Sequence, residues 1–248
     1  ANKIKAALQK CEFVAVSDCM QHTDTTEYAD MLLPALGWGE KDGTVTNSER
    51  RISRQRAILP APGDAKSDWW IITQVAKAMG FENAFQYQSA HDIFKEHTQL
   101  SAYENTLELN SSTRTKRDFN LSYLTDLTPQ QYHELMPVQW PVTAESPNGT
   151  ERMFQDGHYF TPSRKAQMVA IKPKLPQASL SKEYPLVLNT GRIRDQWHTM
   201  SRTALAPQLN NHKAEPFVEL HPDDAKRYNI EDGELVLTTT TYGEMIAR

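Results

Sequence analysis

The chain has 248 residues, 39% of them hydrophobic and 23% charged, an ordinary balance for a soluble protein with a sizeable core. A formal net charge of −4 excludes a general field for nucleic acid, and no apolar run nears the roughly 20 residues needed to span a bilayer. No secretory signal with an apolar middle is visible, so a cytoplasmic protein without membrane or nucleic-acid partners is expected.

Ala1 to Lys10 reads as an amphipathic helix. Glu12 to Val16 is an apolar run closed by Ser17 and Asp18, the pattern of a buried strand with polar residues at its carboxyl end. Cys11 and Cys19 bracket it at a spacing that fits neither a metal knuckle nor a disulfide framework, so both read as reduced, buried structural thiols. Thr25 to Asp30 suits one capped helical turn, and Met31 to Leu33 is strand-like until Pro34. Gly37 to Arg54 is rich in turn residues and charge, and reads as a loop. A stiff connector, Leu59 to Gly63, precedes the clearest helix. There Ser67 is the N-cap, Asp68 sits in the first turn, and Trp69, Ile72, Ala76 and Met79 share a face before Gly80.

The residues 86–150 are polar, with helical pieces at His91 to His97 and Pro129 to Leu135. The run Ser111 to Arg117 has phosphate-binding side chains but reads as a solvated loop. The residues 151–248 read as β-rich, with strands at Pro185 to Asn189, Phe217 to Leu220 and Leu235 to Thr240. A short helix after Pro222 makes a β-α-β unit of the last two, and Glu244 to Arg248 starts a further strand.

Three clusters carry chemistry. Thr190, Gly191, Arg192, Ile193, Arg194, Asp195, Gln196, Trp197, His198 and Thr199 follow a strand. A glycine there lets a ligand approach the backbone, arginines match phosphate with paired donors, and Trp197 offers a stacking face. The alternative is a plain turn with a solvated charge pair. Asp18 and Asp68 are suited to guanine, whose N1–H and amino group a carboxylate accepts together; the alternative makes them a turn former and a helix-start residue. Lys41, in the charged stretch Glu40 to Arg51, can neutralise a phosphate or pair with a carboxylate. No histidine has a partner at metal-ligand spacing and no nucleophile motif appears, so neither catalytic nor metal-binding residues are assigned.

Taken in order, Ser17-Asp18, Ala29 to Pro34, Glu40 to Arg51, Ser67 to Gly80, Thr190 to Thr199 and His221 to Ala225 resemble the bis-molybdopterin guanine dinucleotide oxidoreductases. The stretches Asn47 to Arg56 and Gly191 to Thr203 look most like assimilatory nitrate reductase, with formate dehydrogenases as cousins. The resemblance implies the back half of a nucleotide-binding α/β domain over 1–85, a connecting region over 86–150, and a double-psi β-barrel, cut before its closing strands, over 151–248. It implies that Ser17, Asp18, Lys41, Asp68 and Thr190 to Thr199 contact a molybdenum bis(molybdopterin guanine dinucleotide) cofactor. The family's cysteines for an iron–sulfur cluster and for molybdenum are not in the chain. A C-terminal, inactive fragment of the catalytic subunit is therefore expected, whose parent works with the rest of that subunit and an electron-donor protein or domain. A non-catalytic nucleotide-binding or capping module is the rival of another class.

Overall fold

The computed structural model describes residues 2–105 and 117–248. In chain order its elements are helix α1 (Asn2–Leu8), strands β1 (Ala15–Asp18), β2 (Met31–Pro34), β3 (Gly43–Thr46) and β4 (Arg51–Gln55), and helices α2 (Asp68–Ala78), α3 (Ala90–Ala102) and α4 (Pro129–Glu134). Strand β5 (Val138–Gln139), helix α5 (Pro222–Arg227) and strands β6 (Val236–Thr240) and β7 (Gly243–Ala247) follow. Most of the basic run from Ser111 lies outside the described residues. The chain divides into a mid-chain unit, Ala15–Gln21 with Met31–Ile171, and a terminal unit, Ala1–Val14, His22–Asp30 and Lys172–Arg248.

In the mid-chain unit β1 and β2 pair in parallel, with Ser17 opposite Leu33 and Asp18 opposite Pro34. The Leu36 N–H donates to the Lys66 carbonyl and the Lys66 N–H to the Pro34 carbonyl, at 3.0 Å each. These bonds tie the start of α2 to the carboxyl end of β2. Ser67 enters α2 with extended backbone, Asp68 lies in the first turn, and Gly80 follows at φ +91°. The expected helix face is only half right. Ile71, Thr73 and Ala76 are buried, whereas Ile72 and Met79 are exposed. The helix carries apolar residues on more than one face, and periodicity cannot say which face is covered.

β1 is not the buried strand expected. Ala15 and Ser17 are exposed, because β1 and β2 form a sheet of two strands rather than the interior of a wide one. Cys11 and Cys19 are not joined in a disulfide, and both are exposed rather than buried. Just outside the strand ends, they have no packed layer over them.

The stretch Gly37 to Arg54 is also not a loop. β3 and β4 form an antiparallel hairpin running from Gly43 opposite Gln55 to Thr46 opposite Ile52, and β5 adds to β4. Asn47 Oδ1 accepts from the Glu49 and Arg51 N–H groups at 2.9 and 3.0 Å, which turns the chain, with Arg50 at φ +67°. The charges that suggested solvent point inward in part. The Arg54 side chain is 2% exposed and donates to the Asp42 carboxylate at 2.6 Å, the Tyr132 hydroxyl at 2.9 Å and the Gly43 carbonyl.

The core lies where the sequence said least. Ile52, Phe94, Leu121, Leu124, Tyr132 and Val142 form one buried cluster under the hairpin, α3 and α4. Both helices carry reciprocal caps, Ser89 with Asp92 and Thr128 with Gln131, and Pro129 opens α4. Gly149 (φ +87°) closes this region, where a Cβ would stand 2.5 Å from the Gln139 carbonyl oxygen. Only glycine fits.

The terminal unit contains α1, α5, the β6–β7 hairpin and, among the described residues, three 3-10 turns, Thr26–Tyr28, Thr203–Leu205 and Pro207–Asn210. The strands expected at Pro185 to Asn189 and Phe217 to Leu220 are absent from these described residues. Of the latter, Val218 makes one backbone bond, its N–H donating to the Arg248 carbonyl. A helix followed by a hairpin therefore replaces the expected β-α-β unit. Apolar runs favour strands only where a ladder partner exists, and among the described residues neither segment joins a ladder. Among the described residues no helix is long and apolar enough to cross a membrane.

Candidate functional site

The parallel pairing and the ties from Lys66 bring Ser17, Asp18 and Asp68 to one end of the β1–β2 pair. That is the end where open α/β sheets hold ligands. Ser17 and Asp68 line a groove of about 590 Å³ whose remaining wall is apolar, with Ile72, Val75, Met79, Phe81 and Phe85 among its residues. Lys41, between a 3-10 turn and β3, places its Nζ 2.9 Å from Asp68 Oδ2. The two side chains are 29% and 53% exposed, so this ion pair orients the carboxylate more than it stabilises the fold. Asp18 behaves differently. Its Oδ1 accepts from the Met20 N–H at 3.0 Å and its carbonyl from the Ala35 N–H at 3.0 Å, and it is not among the groove-lining residues.

An apolar slot with a carboxylate and a hydroxyl suits a flat heterocycle. The apolar walls take the ring faces, and the carboxylate accepts from adjacent ring N–H groups. Phe81 and Phe85 were not singled out from the sequence. The available signal was that α2 is apolar on two faces, so one had to meet something other than its own sheet.

Thr190 to Thr199 belong to the terminal unit and are irregular and mostly exposed. Among the described residues, apart from Gly191 and its chain neighbours, no heavy atom lies within 4 Å of the space a Cβ on Gly191 would take. Arg192 is exposed and, among the described residues, makes no hydrogen bond or ion pair. Arg194 is committed. Its Nε and Nη2 donate to the two Asp195 carboxylate oxygens at 2.8 and 2.9 Å. This fork holds the Asp195 carboxyl below the usual carboxylate range. His212 Nδ1 stands 3.7 Å from Asp195 Oδ2. Ile193 accepts from the Gln196 N–H at 3.2 Å, closing a tight turn. Gln196 Nε2 donates to the Leu209 carbonyl and to Asn210 Oδ1, while its Oε1 is buried with no partner among the described residues. Trp197 is 62% exposed and meets His198 edge-on at 4.3 Å between ring centres, with His198 at φ +46°. The cluster thus offers one unengaged guanidinium, an open backbone at Gly191, an exposed indole and an unused acceptor. Among the described residues no three His, Cys, Asp or Glu side chains are grouped to hold a metal ion.

The family profile described as Molybdopterin oxidoreductase matches residues 1–78, and that described as Molydopterin dinucleotide binding domain matches 186–248. Each takes in one of the two clusters. Residues 1–78 and 186–248 thus carry domains of the molybdopterin oxidoreductases.

Among relatives in this family, a nitrate reductase from Klebsiella oxytoca is 44% identical over 250 residues, covering 100% of this chain and 27% of that protein. The alpha subunit of an F420-dependent formate dehydrogenase from Methanocaldococcus jannaschii is 32% identical over 99% of this chain and 33% of its own length. The chain thus spans about a quarter to a third of the length of these curated relatives. In fold it is similar to acetylene hydratase from Pelobacter acetylenicus, with a TM-score of 0.68 at 19% identity, over 99% of this chain and 32% of that one.

Proposed function

We propose that the chain is a cofactor-binding part of an assimilatory nitrate reductase, a cytoplasmic enzyme that reduces nitrate to nitrite and water with two electrons and two protons. The observation that carries the reading is the 44% identity to a nitrate reductase along the whole chain. The residues present fit molybdenum bis(molybdopterin guanine dinucleotide). The groove carboxylate suits guanine, Arg192 suits a phosphate, and the buried Gln196 Oε1 lacks the donor that a pterin N–H would provide. When bound, that group supplies the redox chemistry and the protein supplies orientation and charge.

In this reading Asp68, oriented by Lys41, and Ser17 hold guanine, while Asp18 shapes the turn beside them. Thr190 to Thr199 lie along the pterin and phosphates, and residues 151–248 form part of a double-psi β-barrel in the longer protein. Electrons arrive through an iron–sulfur cluster bound by the rest of the catalytic subunit, from a separate donor protein or domain. The 248-residue chain by itself is expected to leave nitrate unreduced. A second reading, formate oxidation, is favoured by the formate dehydrogenase relative.

The test uses the longer protein that contains this sequence, purified and assayed with reduced viologen plus nitrate, and separately with formate plus oxidised viologen. Nitrate turnover alone supports the proposal; formate turnover alone overturns it. Within that protein Arg192→Ala should lower molybdenum content and activity together, because hydrogen bonds to charged groups are worth about 1.5–3 kcal/mol, roughly tenfold or more in retention. Lys182→Ala, on an exposed surface, should change neither.

A further inference from the structure

The residues after Thr199 are built around those before it. Two short 3-10 turns, Thr203–Leu205 and Pro207–Asn210, stand beside the 193–197 stretch and bond to it side chain to backbone and side chain to side chain. Thr203 Oγ1 accepts from the Trp197 N–H at 3.1 Å. Asn210 Oδ1 accepts from Gln196 Nε2 at 2.7 Å, the Leu209 carbonyl accepts from the same nitrogen at 3.2 Å, and Asn210 Nδ2 donates to the Ala204 carbonyl at 3.1 Å. Asn210 therefore links Gln196 to the first turn with both ends of its amide. Gln196 and Asn210 are half-buried, while Trp197 is exposed.

We infer that Thr203 and Asn210 are positioning residues for the 190–199 loop, fixing Gln196 and Trp197 before the cofactor arrives. The inference rests on the cofactor reading of that loop. A stretch with no strand or helix of its own keeps its backbone freedom unless side chains remove it. Affinity of such a loop is set partly by how much ordering remains to be done on binding. The Arg194–Asp195 fork constrains only adjacent residues, so it cannot fix the loop against anything else. The bonds from 203, 209 and 210 can, because they reach across six to fourteen positions of sequence. Neither residue needs to touch the cofactor for this to work.

The experiment uses the longer protein with its cofactor, and four variants: Thr203→Val, Thr203→Ser, Asn210→Ala and Arg192→Ala. Hydrogen exchange reads the Trp197 amide, metal analysis and released guanine nucleotide read the cofactor, and thermal unfolding reads global stability. Thr203→Val should speed exchange at Trp197 about fivefold or more, the effect of losing one ordinary hydrogen bond, and Thr203→Ser should restore it. Asn210→Ala should lose molybdenum and guanine nucleotide several-fold while, stripped of cofactor, it melts at the same Tm as the stripped unsubstituted protein, which a purely structural role would not produce. Full cofactor in Asn210→Ala, with loss in Arg192→Ala, overturns the positioning role while leaving the loop on the cofactor. Full cofactor in both variants overturns the cofactor reading of the loop, and the inference with it. A lower Tm in cofactor-stripped Asn210→Ala than in the stripped unsubstituted protein overturns the inference in favour of simple destabilisation.

Discussion

The two units hold their shape by different means. The mid-chain unit concentrates its burial in one cluster, where Leu121 and Val142 are 0% exposed and Phe94 and Tyr132 3%. In the terminal unit only Val14, Thr26 and Ala247 are buried among the described residues, while Leu186, Val187 and Leu188 stand 42–76% exposed. Its order comes from turns, from the β6–β7 hairpin and from side-chain bonds such as those of Thr203 and Asn210. Segments with few buried contacts open most readily and are where ligand-binding loops are found. One unit is thus held by packing, the other by turns and local bonds.

Four measurements test that contrast, taken in order of expected effect. Leu121→Ala should cost about 2–5 kcal/mol in chemical denaturation, as for other large-to-small core changes, whereas Leu188→Ala should stay within about 0.5 kcal/mol. Comparable losses at both sites would erase the distinction. Arg54→Met should follow, at about 1.5–3 kcal/mol, because it strips donors from Asp42, Tyr132 and the Gly43 carbonyl. A neutral result in the same denaturation assay would mean that the hairpin does not depend on this buried charge.

The third measurement is an alkaline titration of stability. Burial pushes the Tyr132 phenol up to about 12, and the hydrogen bond to Glu96 does the same for Tyr87. A folded pKa above the unfolded value of 10 stabilises the fold below pH 10, and this contribution is lost as pH rises toward 12. Tyr132→Phe should flatten part of that fall and leave the Tyr87 part in place. An unchanged slope between pH 10 and 12 would count against the buried phenol. The smallest effect is expected from Lys41→Ala, at most about 1 kcal/mol, since its partner is half exposed. A large loss would make the Lys41–Asp68 pair a structural tie rather than a carboxylate held for a ligand.

The helix α2 was legible because Ser67, Asp68 and Gly80 mark its ends locally, and α4 because Pro129 does. The β3–β4 hairpin was not, since its strands alternate threonine and arginine with single apolar residues, and only Asn47 announces the turn. Strand partners are a long-range property, which is why Pro185 to Asn189 read as a strand and is none. At the site, residue chemistry pointed to Asp68 and Lys41, and the structure joins them in one ion pair. It did not reveal that Arg194 is taken by Asp195, because a neighbouring carboxylate in sequence can face either way. Nor did it reveal Asn210, fourteen residues from its partner Gln196.

The boundaries between the units fall after residues 14, 21, 30 and 171. No single peptide bond can therefore be cut to release either one whole. During synthesis the mid-chain unit is complete once Ile171 has emerged, but Ala1–Val14 and His22–Asp30 must wait for Lys172 onward. Those two early segments are already fastened to each other, for the Asp30 carboxylate accepts from the Val14 N–H at 2.7 Å and the Asp30 N–H donates to the Val14 carbonyl at 2.8 Å. In translation order the residues of the middle unit are therefore complete before residues 172–248, which belong with these two clasped segments, have been made.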